Sequence, residues 1–510
     1  MKGKLKNIII FILSLFISII VTGSLYYFFN YKSNDFEELL FYLFNGAEKG
    51  SLSVFLTALK LCFIPAILLF FLIYIPTTNF NHKFTIKIKN KILHIYPINF
   101  IYNHKKAYIF TLSIFALLIF IYAFKIDSYI INKMKSTNIY ENYYINGEDI
   151  NISFPNDKKN LIIIMLESVE TTLCSKNSNG GWDYSIIPEL ENIANNNINF
   201  SNTNLLGGAR QTYGTNFTAG SMVSQTSGIP LITPIDINTT YKGTGKFLEA
   251  TYTLGDILKN AGYNLEIMMG SDGNFGGRTQ YFTTNGNYKI FDFNYAVEVG
   301  KMSAEDKVWW GFEDDKLFEW SKEELLNLAK DKKPFNYIML TADTHFTDGY
   351  LSKNAEETFP TQYENVFAYS SKLVYEFILW LQKQEFYDKT TIVILGDHLG
   401  KQDIFYKTHL DQNYDRRIYN AFINSSVTPI NSKNREFTTM DLFPTILASI
   451  GVTIEGEKLG LGTNLFSDTP TLTEEFSFDY LNNELKKSSS FYNNVLLGQD
   501  YYKFKRSIHE

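Results

Sequence analysis

Two hydrophobic textures divide the chain. The first consists of three long apolar runs, residues 7–29, 54–76 and 107–124, dominated by Ile, Leu, Phe and Tyr, with Lys60 the one charge inside them. Runs of roughly 20 apolar residues match a bilayer core of about 30 Å, so each predicts a membrane-spanning helix. The first run is too long for a signal-peptide core and has no small-x-small cleavage site, so it is read as a span. Beyond Lys159 the texture changes to short apolar segments separated by helical periodicity. Leu161–Leu166 (Leu-Ile-Ile-Ile-Met-Leu) is an uninterrupted apolar run of strand length, the pattern of a strand covered on both faces. Further strands are predicted at 265–269, 335–340 and 391–395, and helices at 188–194, 254–261, 317–328, 370–384 and 441–450. That alternation predicts an α/β fold with a mostly parallel sheet flanked by helices.

The expected organisation is therefore a three-helix membrane anchor at 1–125, a polar linker at 126–159 with room for one amphipathic helix at the membrane surface, and an α/β domain at 160–510. Charge sets the expected orientation. Lys83, Lys87, Lys89, Lys91, Lys105 and Lys106 lie between the second and third runs with no acidic residue among them, whereas Asp35, Glu37, Glu38 and Glu48 lie between the first and second. Lysine and arginine stay on the cytoplasmic side, which puts the N-terminus inside and everything after Lys125 outside. The short, partly apolar stretch 36–44 is too short to span and is left unassigned. A formal net charge of −6 argues against a nucleic-acid partner, because phosphate-backbone binding needs a basic surface. The two cysteines, Cys62 in a span and Cys174 beyond it, are not placed to form a disulfide.

Ligands of parallel sheets bind beyond the carboxyl ends of the strands, and the chemically loaded residues fall there. Glu167 follows the first strand, Ser271 and Asp272 the second, Asp343 and His345 the third, and Asp397 and His398 the fourth. An adjacent carboxylate and imidazole suit a divalent metal, or serve as a hydrogen-bonded cap. The octapeptide Arg-Gln-Thr-Tyr-Gly-Thr-Asn-Phe, residues 210–217, reads as a loop turning into a helix with Thr212 near its first turn. Free N–H groups and the helix dipole favour an anion there, so Thr212 is either a nucleophile facing a phosphate or a plain N-cap.

Leu-Glu-Ser at 166–168, the 210–217 octapeptide, the Ala-Gly-Ser-Met-Val-Ser-Gln-Thr-Ser-Gly-Ile-Pro-Leu run at 219–231 and Gly-Asp-His at 396–398 resemble the phosphoglycerol transferase and lipoteichoic acid synthase group of the alkaline phosphatase and sulfatase superfamily. Trp310-Gly311-Phe312, Asp343-Thr344-His345 and Leu459-Gly460-Leu461-Gly462 bring the likeness closer to the phosphoglycerol transferases that decorate periplasmic glucans. The resemblance spans roughly 160–467. It implies that Glu167, Thr212, Asp397 and His398 hold one divalent cation, Mn²⁺ in preference to Mg²⁺ or Zn²⁺, with Thr212 the covalent nucleophile. It implies substrate contacts from Arg278, His345 and, on a looser alignment, His409. Ser271 and Gly276 stand where the synthases carry an acid and a tryptophan, so the headgroup pocket is expected to differ. The implied reaction moves the headgroup of phosphatidylglycerol, or a related phospholipid, to a glycan outside a bacterial cytoplasmic membrane. A phosphoethanolamine transferase, a phosphodiesterase and a non-catalytic receptor are the alternatives. A sulfatase activity is set aside, because Cys174 lacks the Cys-x-Pro-x-Arg context.

Overall fold

The computed structural model describes residues 2–30, 36–45, 59–78, 84–88, 91–95, 97–232, 246–411 and 413–497. Residues 54–58 at the start of the second apolar run, and Asp35, Glu48, Lys83 and Lys89, lie outside the described residues. The chain divides into two units, one formed by Met1–Phe36 and Lys49–Ile131, the other by Glu37–Glu48 and Asn132–Glu510.

The N-terminal unit holds three helices long and apolar enough to cross a membrane, Leu5–Phe29, Leu59–Thr77 and Lys105–Ala123. Polar side chains on the first are satisfied within it: Ser14, Ser18 and Thr22 each donate to the carbonyl four residues earlier, at 2.8, 3.0 and 2.8 Å, as an apolar solvent requires. Phe11 meets Phe70 and Tyr74 edge-on at 5.0 and 5.2 Å, joining the first helix to the second. The basic segment between the second and third helices also carries two short antiparallel strands, Phe84–Ile88 and Lys91–Ile95, which its lysine-rich composition did not signal.

The C-terminal unit is built on a six-stranded sheet: β1 (Asn160–Leu166), β2 (Asn264–Met269), β3 (Lys289–Phe291), β4 (Phe335–Leu340), β5 (Thr390–Gly396) and β6 (Asn420–Ile423). Its spatial order is β3-β2-β4-β1-β5-β6, parallel except for β6, which runs antiparallel at one edge. The apolar run of β1 is buried on both faces. Leu161, Ile163 and Met165 join one apolar cluster, while Ile162, Ile164 and Leu166 join the other, following the two-residue period of a strand.

Three sequence expectations need correction. The helix expected from 370 begins at Gln362, where Thr361 and Glu364 form a capping box; buried polar residues such as Glu364 and Asn365 hid its first turns from a hydrophobic-periodicity reading. Residues 132–159 are not a free linker. Ile139 and Tyr140 are buried in the core, and Ile152–Ser153 pairs with Thr453–Ile454. The stretch left unassigned at 36–44 is a helix, Phe36–Asn45, and packs within the C-terminal unit. The four-residue edge strand β6 and the three-residue β3 were too short for the hydrophobic pattern to reveal.

Ile163, fully buried at the centre of the sheet, tests this core. Ile163→Ala is expected to cost about 2–5 kcal/mol, seen as a lowered unfolding midpoint of the full chain in detergent. The exposed Leu326→Ala is expected to change stability by less than about 1 kcal/mol.

Candidate active site

Register brings the first two candidate ligands together. Met165 pairs with Leu395 and Leu166 with Gly396, so Glu167 and Asp397 leave adjacent parallel strands side by side. Ser168 then takes a left-handed conformation, φ 58°. Its N–H donates to Asp397 Oδ1 at 2.7 Å and its hydroxyl to Glu167 Oε1 at 2.7 Å. One residue thereby fastens both carboxylates. Thr341 accepts the Glu167 N–H at 3.0 Å, and the Thr344 hydroxyl donates to the Glu167 carbonyl at 2.5 Å, which ties β4's loop to the same corner.

His398 completes the group. Its Nε2 lies 3.4 Å from Glu167 Oε1 and 3.5 Å from Asp397 Oδ2. Its Nδ1 is 3.0 Å from the Leu399 carbonyl, so Nδ1 carries the proton and Nε2 presents a lone pair. Burial, only partly offset by Glu167, drops the imidazole pKa to about 4, and the ring is neutral at pH 7. Glu167 is also buried, but His398 and His345 where they carry a proton, together with the Ser168 hydroxyl, outweigh the desolvation and hold it at about 2. Asp397 moves the other way: burial and the Glu167 charge push it well above the usual carboxylate range. The site as it stands accommodates one negative charge and resists the second.

A cation would resolve that conflict. Ligand atoms of Glu167, Asp397 and His398 all lie within 4.8 Å of one another, and buried Asp397 Oδ2 finds no hydrogen-bond donor among the described residues. Two carboxylates and an imidazole around an unsatisfied oxygen fit a divalent ion.

Besides the buried Ser168, Thr218 brings a hydroxyl to this group. Its Oγ1 donates to Glu167 Oε2 at 3.1 Å and lies 3.5 Å from His398 Nε2. Thr218 opens the helix Thr218–Ser227, behind an extended Phe217, and is partly exposed where Thr212–Phe217 and Ala219–Ser227 are buried. The helix start expected near Thr212 is thus corrected to Thr218. Residues 212–215 form a turn instead, because Gly214 adopts φ 76° and its carbonyl is taken by Leu231 N at 3.0 Å. The Thr212 N–H donates to Thr215 Oγ1 at 2.9 Å, and the two hydroxyls are 3.4 Å apart. No described hydrogen bond or ion pair joins Thr212 to Glu167, Asp397 or His398.

Small and polar residues let the helix approach. A Cβ on Gly220 would meet the Gly214 carbonyl at 2.5 Å, so only glycine lets the first turn fold over the preceding loop. One turn on, the Ser221 hydroxyl donates to the Asp397 carbonyl, and Gln225 Nε2 donates to the Gly396 carbonyl at 2.9 Å. The helix carrying Thr218 is thus bonded to the strand end carrying Asp397. Ser168, Thr218, Ser221 and Gln225 were missed as site residues by sequence reasoning. The offset of a threonine from a helix start was the available signal.

Of the expected substrate residues, His345 and Arg278 line the neighbouring wall. His345 Nδ1 lies 2.7 Å from the Phe346 carbonyl, and its ring meets Trp310 edge-on at 4.8 Å. Desolvation lowers its pKa despite the Glu167 charge. Arg278 binds the carbonyls of Phe275 and Asp272 at 3.0 and 2.7 Å, and Phe275 stacks on Trp310 at 6.2 Å. Asp272 is occupied by the turn itself, accepting from Asn274 and Asn294. His409 lies apart from the carboxylates: it stacks on Trp182 at 5.1 Å, and its Nδ1 lies 2.9 Å from the Phe405 carbonyl.

Because Asp397 resists ionisation in the cation-free site, binding of Mn²⁺ near neutral pH is expected to release a proton and to weaken as pH falls. Calorimetry in buffers of different ionisation enthalpy measures this, and a binding heat independent of buffer contradicts it. Ser168→Ala removes the hydroxyl that holds Glu167 and is expected to weaken Mn²⁺ binding about 10-fold or more.

Known proteins can be set beside this geometry. The Sulfatase family model matches residues 159–452. A phosphoglycerol transferase I of Salmonella choleraesuis (strain SC-B67) is 28% identical over 334 residues, covering 64% of this chain and 41% of the relative. Another, from Salmonella arizonae, is 29% identical over 264 residues, covering 50% and 33%. The chain thus spans less than half the length of these relatives. The lipooligosaccharide phosphoethanolamine transferase A (EptA) of Neisseria meningitidis superposes with a TM-score of 0.50 at 14% identity, covering 88% of this chain and 84% of that one, a likeness of fold. With more than half of its length matched by the family model, the chain belongs to the sulfatase family.

Proposed function

We propose that the protein is a membrane-anchored, metal-dependent phosphotransferase that moves the headgroup of a phospholipid to a glycan through a covalent phospho-threonine, with Thr218 as the nucleophile. The observation that carries this reading is the Thr218 hydroxyl at a helix N-terminus, 3.1 Å from Glu167 and 3.5 Å from His398. Glu167, Asp397, His398 and the Thr218 oxygen would hold one divalent ion, Mn²⁺ in preference to Mg²⁺ or Zn²⁺. Such an ion lowers the pKa of a hydroxyl and offsets charge on phosphoryl oxygens.

Thr218 Oγ1 attacks the phosphorus of the lipid, its proton passing to solvent. The bond from phosphorus to the diacylglycerol oxygen breaks, and diacylglycerol leaves as the alcohol after taking up a proton. The headgroup phosphate stays esterified to Thr218 until a sugar hydroxyl displaces it. The N–H groups of the first helical turn face the added negative charge. His345 and Arg278 are the side chains we assign to the phosphate and headgroup, with Trp310 and Phe275 forming the apolar wall beside them. No nucleotide is required, which suits a site outside the cytoplasm. The basic segment between the second and third apolar helices supports that orientation, and the names of the curated relatives favour phosphatidylglycerol as donor.

Thr218→Ala is expected to lower turnover of bis-p-nitrophenyl phosphate by at least about 1,000-fold, as loss of a covalent nucleophile does. Thr212→Val, which removes the hydroxyl from the turn but keeps its shape, is expected to stay within about tenfold of wild type; the reverse ranking would return the nucleophile to Thr212. The donor is read by supplying labelled phosphatidylglycerol or phosphatidylethanolamine in mixed micelles with a surface glycan. Diacylglycerol release with glycerophosphate on the glycan supports the proposal. An ethanolamine-phosphate product changes the donor, and free headgroup alone makes the protein a hydrolase.

A further inference from the structure

The helix Phe36–Asn45 comes from the segment between the first two apolar runs, yet it packs in the C-terminal unit. Its first turn buries two carboxylates, Glu37 at 2% and Glu38 at 4% exposure. A helix lying at a membrane surface would leave such groups in water. Here each has a specific partner. Glu38 forms an ion pair with Lys401, itself buried, and accepts from Asn216 Nδ2 at 3.4 Å. Glu37 accepts from the Tyr213 hydroxyl and pairs with Lys133 at 3.1 Å. One turn later Phe41 is buried against Phe217, ring centroids 5.1 Å apart, and its ring lies 3.7 Å from where a Cβ would stand on Gly276.

These partners surround the reaction centre. Tyr213, Asn216 and Phe217 belong to the segment that ends at Thr218. Lys401 follows His398 by three residues, and its charge acts on both His398 and His345. Gly276 lies in the turn that places Arg278, with φ 64°; a side chain there would strain the backbone and stand against Phe41 and Ala219. The helix thus reaches the nucleophile segment, the loop after the metal ligands and the headgroup turn. Among these contacts the Glu38–Lys401 pair joins two buried charges, and breaking such a pair is costly.

We propose that the helix Phe36–Asn45 is a positioning element of the active site, in which Glu38 holds Lys401 and, together with Glu37 and Phe41, fixes the segment that presents Thr218. The proposal rests on the reading of Thr218 as nucleophile. It makes the loop between the first two spans a part of the catalytic unit, so an enzyme truncated before Asn132 lacks a wall of its site.

The test uses the full chain in detergent micelles. Glu38→Gln keeps the side chain's size and leaves the Lys401 ammonium without its counter-charge; Lys401→Met removes the other partner. Each is expected to speed amide exchange across residues 211–218 about 10-fold. Each is also expected to slow turnover of bis-p-nitrophenyl phosphate by about 10- to 100-fold, with Mn²⁺ affinity held within roughly twofold. The double variant is expected to lose no more than the worse single one, because both act through one interaction. Phe41→Leu supplies a milder variant should either charge variant fail to fold, with the same direction of change. Unchanged exchange overturns the docking role, and faster exchange with unchanged turnover overturns the positioning role. Losses that multiply in the double variant overturn the Glu38–Lys401 coupling. Exchange is read without substrate, so the docking result stands apart from whether Thr218 is the nucleophile.

Discussion

Two carboxylates and an imidazole share one dry corner at the ends of two adjacent parallel strands, and the surrounding structure answers to that crowding. Desolvation favours the neutral form of both acids. The neighbours divide the burden unevenly, keeping Glu167 charged beside His398 and His345 while Asp397 is driven toward its neutral form. A divalent ion would let both ionise, and the buried, unpartnered Asp397 Oδ2 is where the protein alone leaves the group incomplete. The β1–β5 register, the left-handed Ser168 and the Nδ1 bond of His398 each fix one donor before any ion arrives. Such preorganisation lowers the cost of binding and of charge development at the reacting centre.

The helix that brings Thr218 is subordinate to the same corner. Its small residues admit close approach to the preceding turn, and its Ser221 and Gln225 are bonded to the backbone at Gly396 and Asp397. Thr218 and Asp397 are therefore placed by a single connected unit. Exposure separates the two threonines physically: Thr212 is sealed in a turn, whereas Thr218 is open enough to meet a substrate. On the other side, the Asp314 and Asp343 carboxylates bind each other's backbone N–H groups at 3.0 and 3.2 Å and pin the loop that carries His345.

Much of this was legible in the sequence where burial is two-sided. The strands at 161–166, 265–269, 335–340 and 391–395 stood out as apolar runs, and a carboxylate or an Asp-His pair directly after such a run is exposed to the crevice by geometry. Glu167, Asp397 and His398 could therefore be named before any coordinates. The threonine could not be fixed the same way. Thr212 and Thr218 both precede the small-residue run, and only the left-handed Gly214 and the extended Phe217 decide where the helix begins. His409 shared the loop after Asp397 but was drawn into the Trp182 and Phe405 cluster. The Phe36–Asn45 helix had no sequence signal for its destination, since its partners, from Lys133 to Lys401, are remote in the chain.

The claim that this corner activates Thr218 is tested most directly by trapping the covalent enzyme. Protein quenched in acid during turnover of a labelled phospholipid would be digested, and fragment ions used to locate the adduct between Gln211 and Lys242. The account predicts a headgroup phosphate ester on Thr218, absent from Asp397→Asn protein. An ester on Thr212, or one that forms equally well without Asp397, would contradict it.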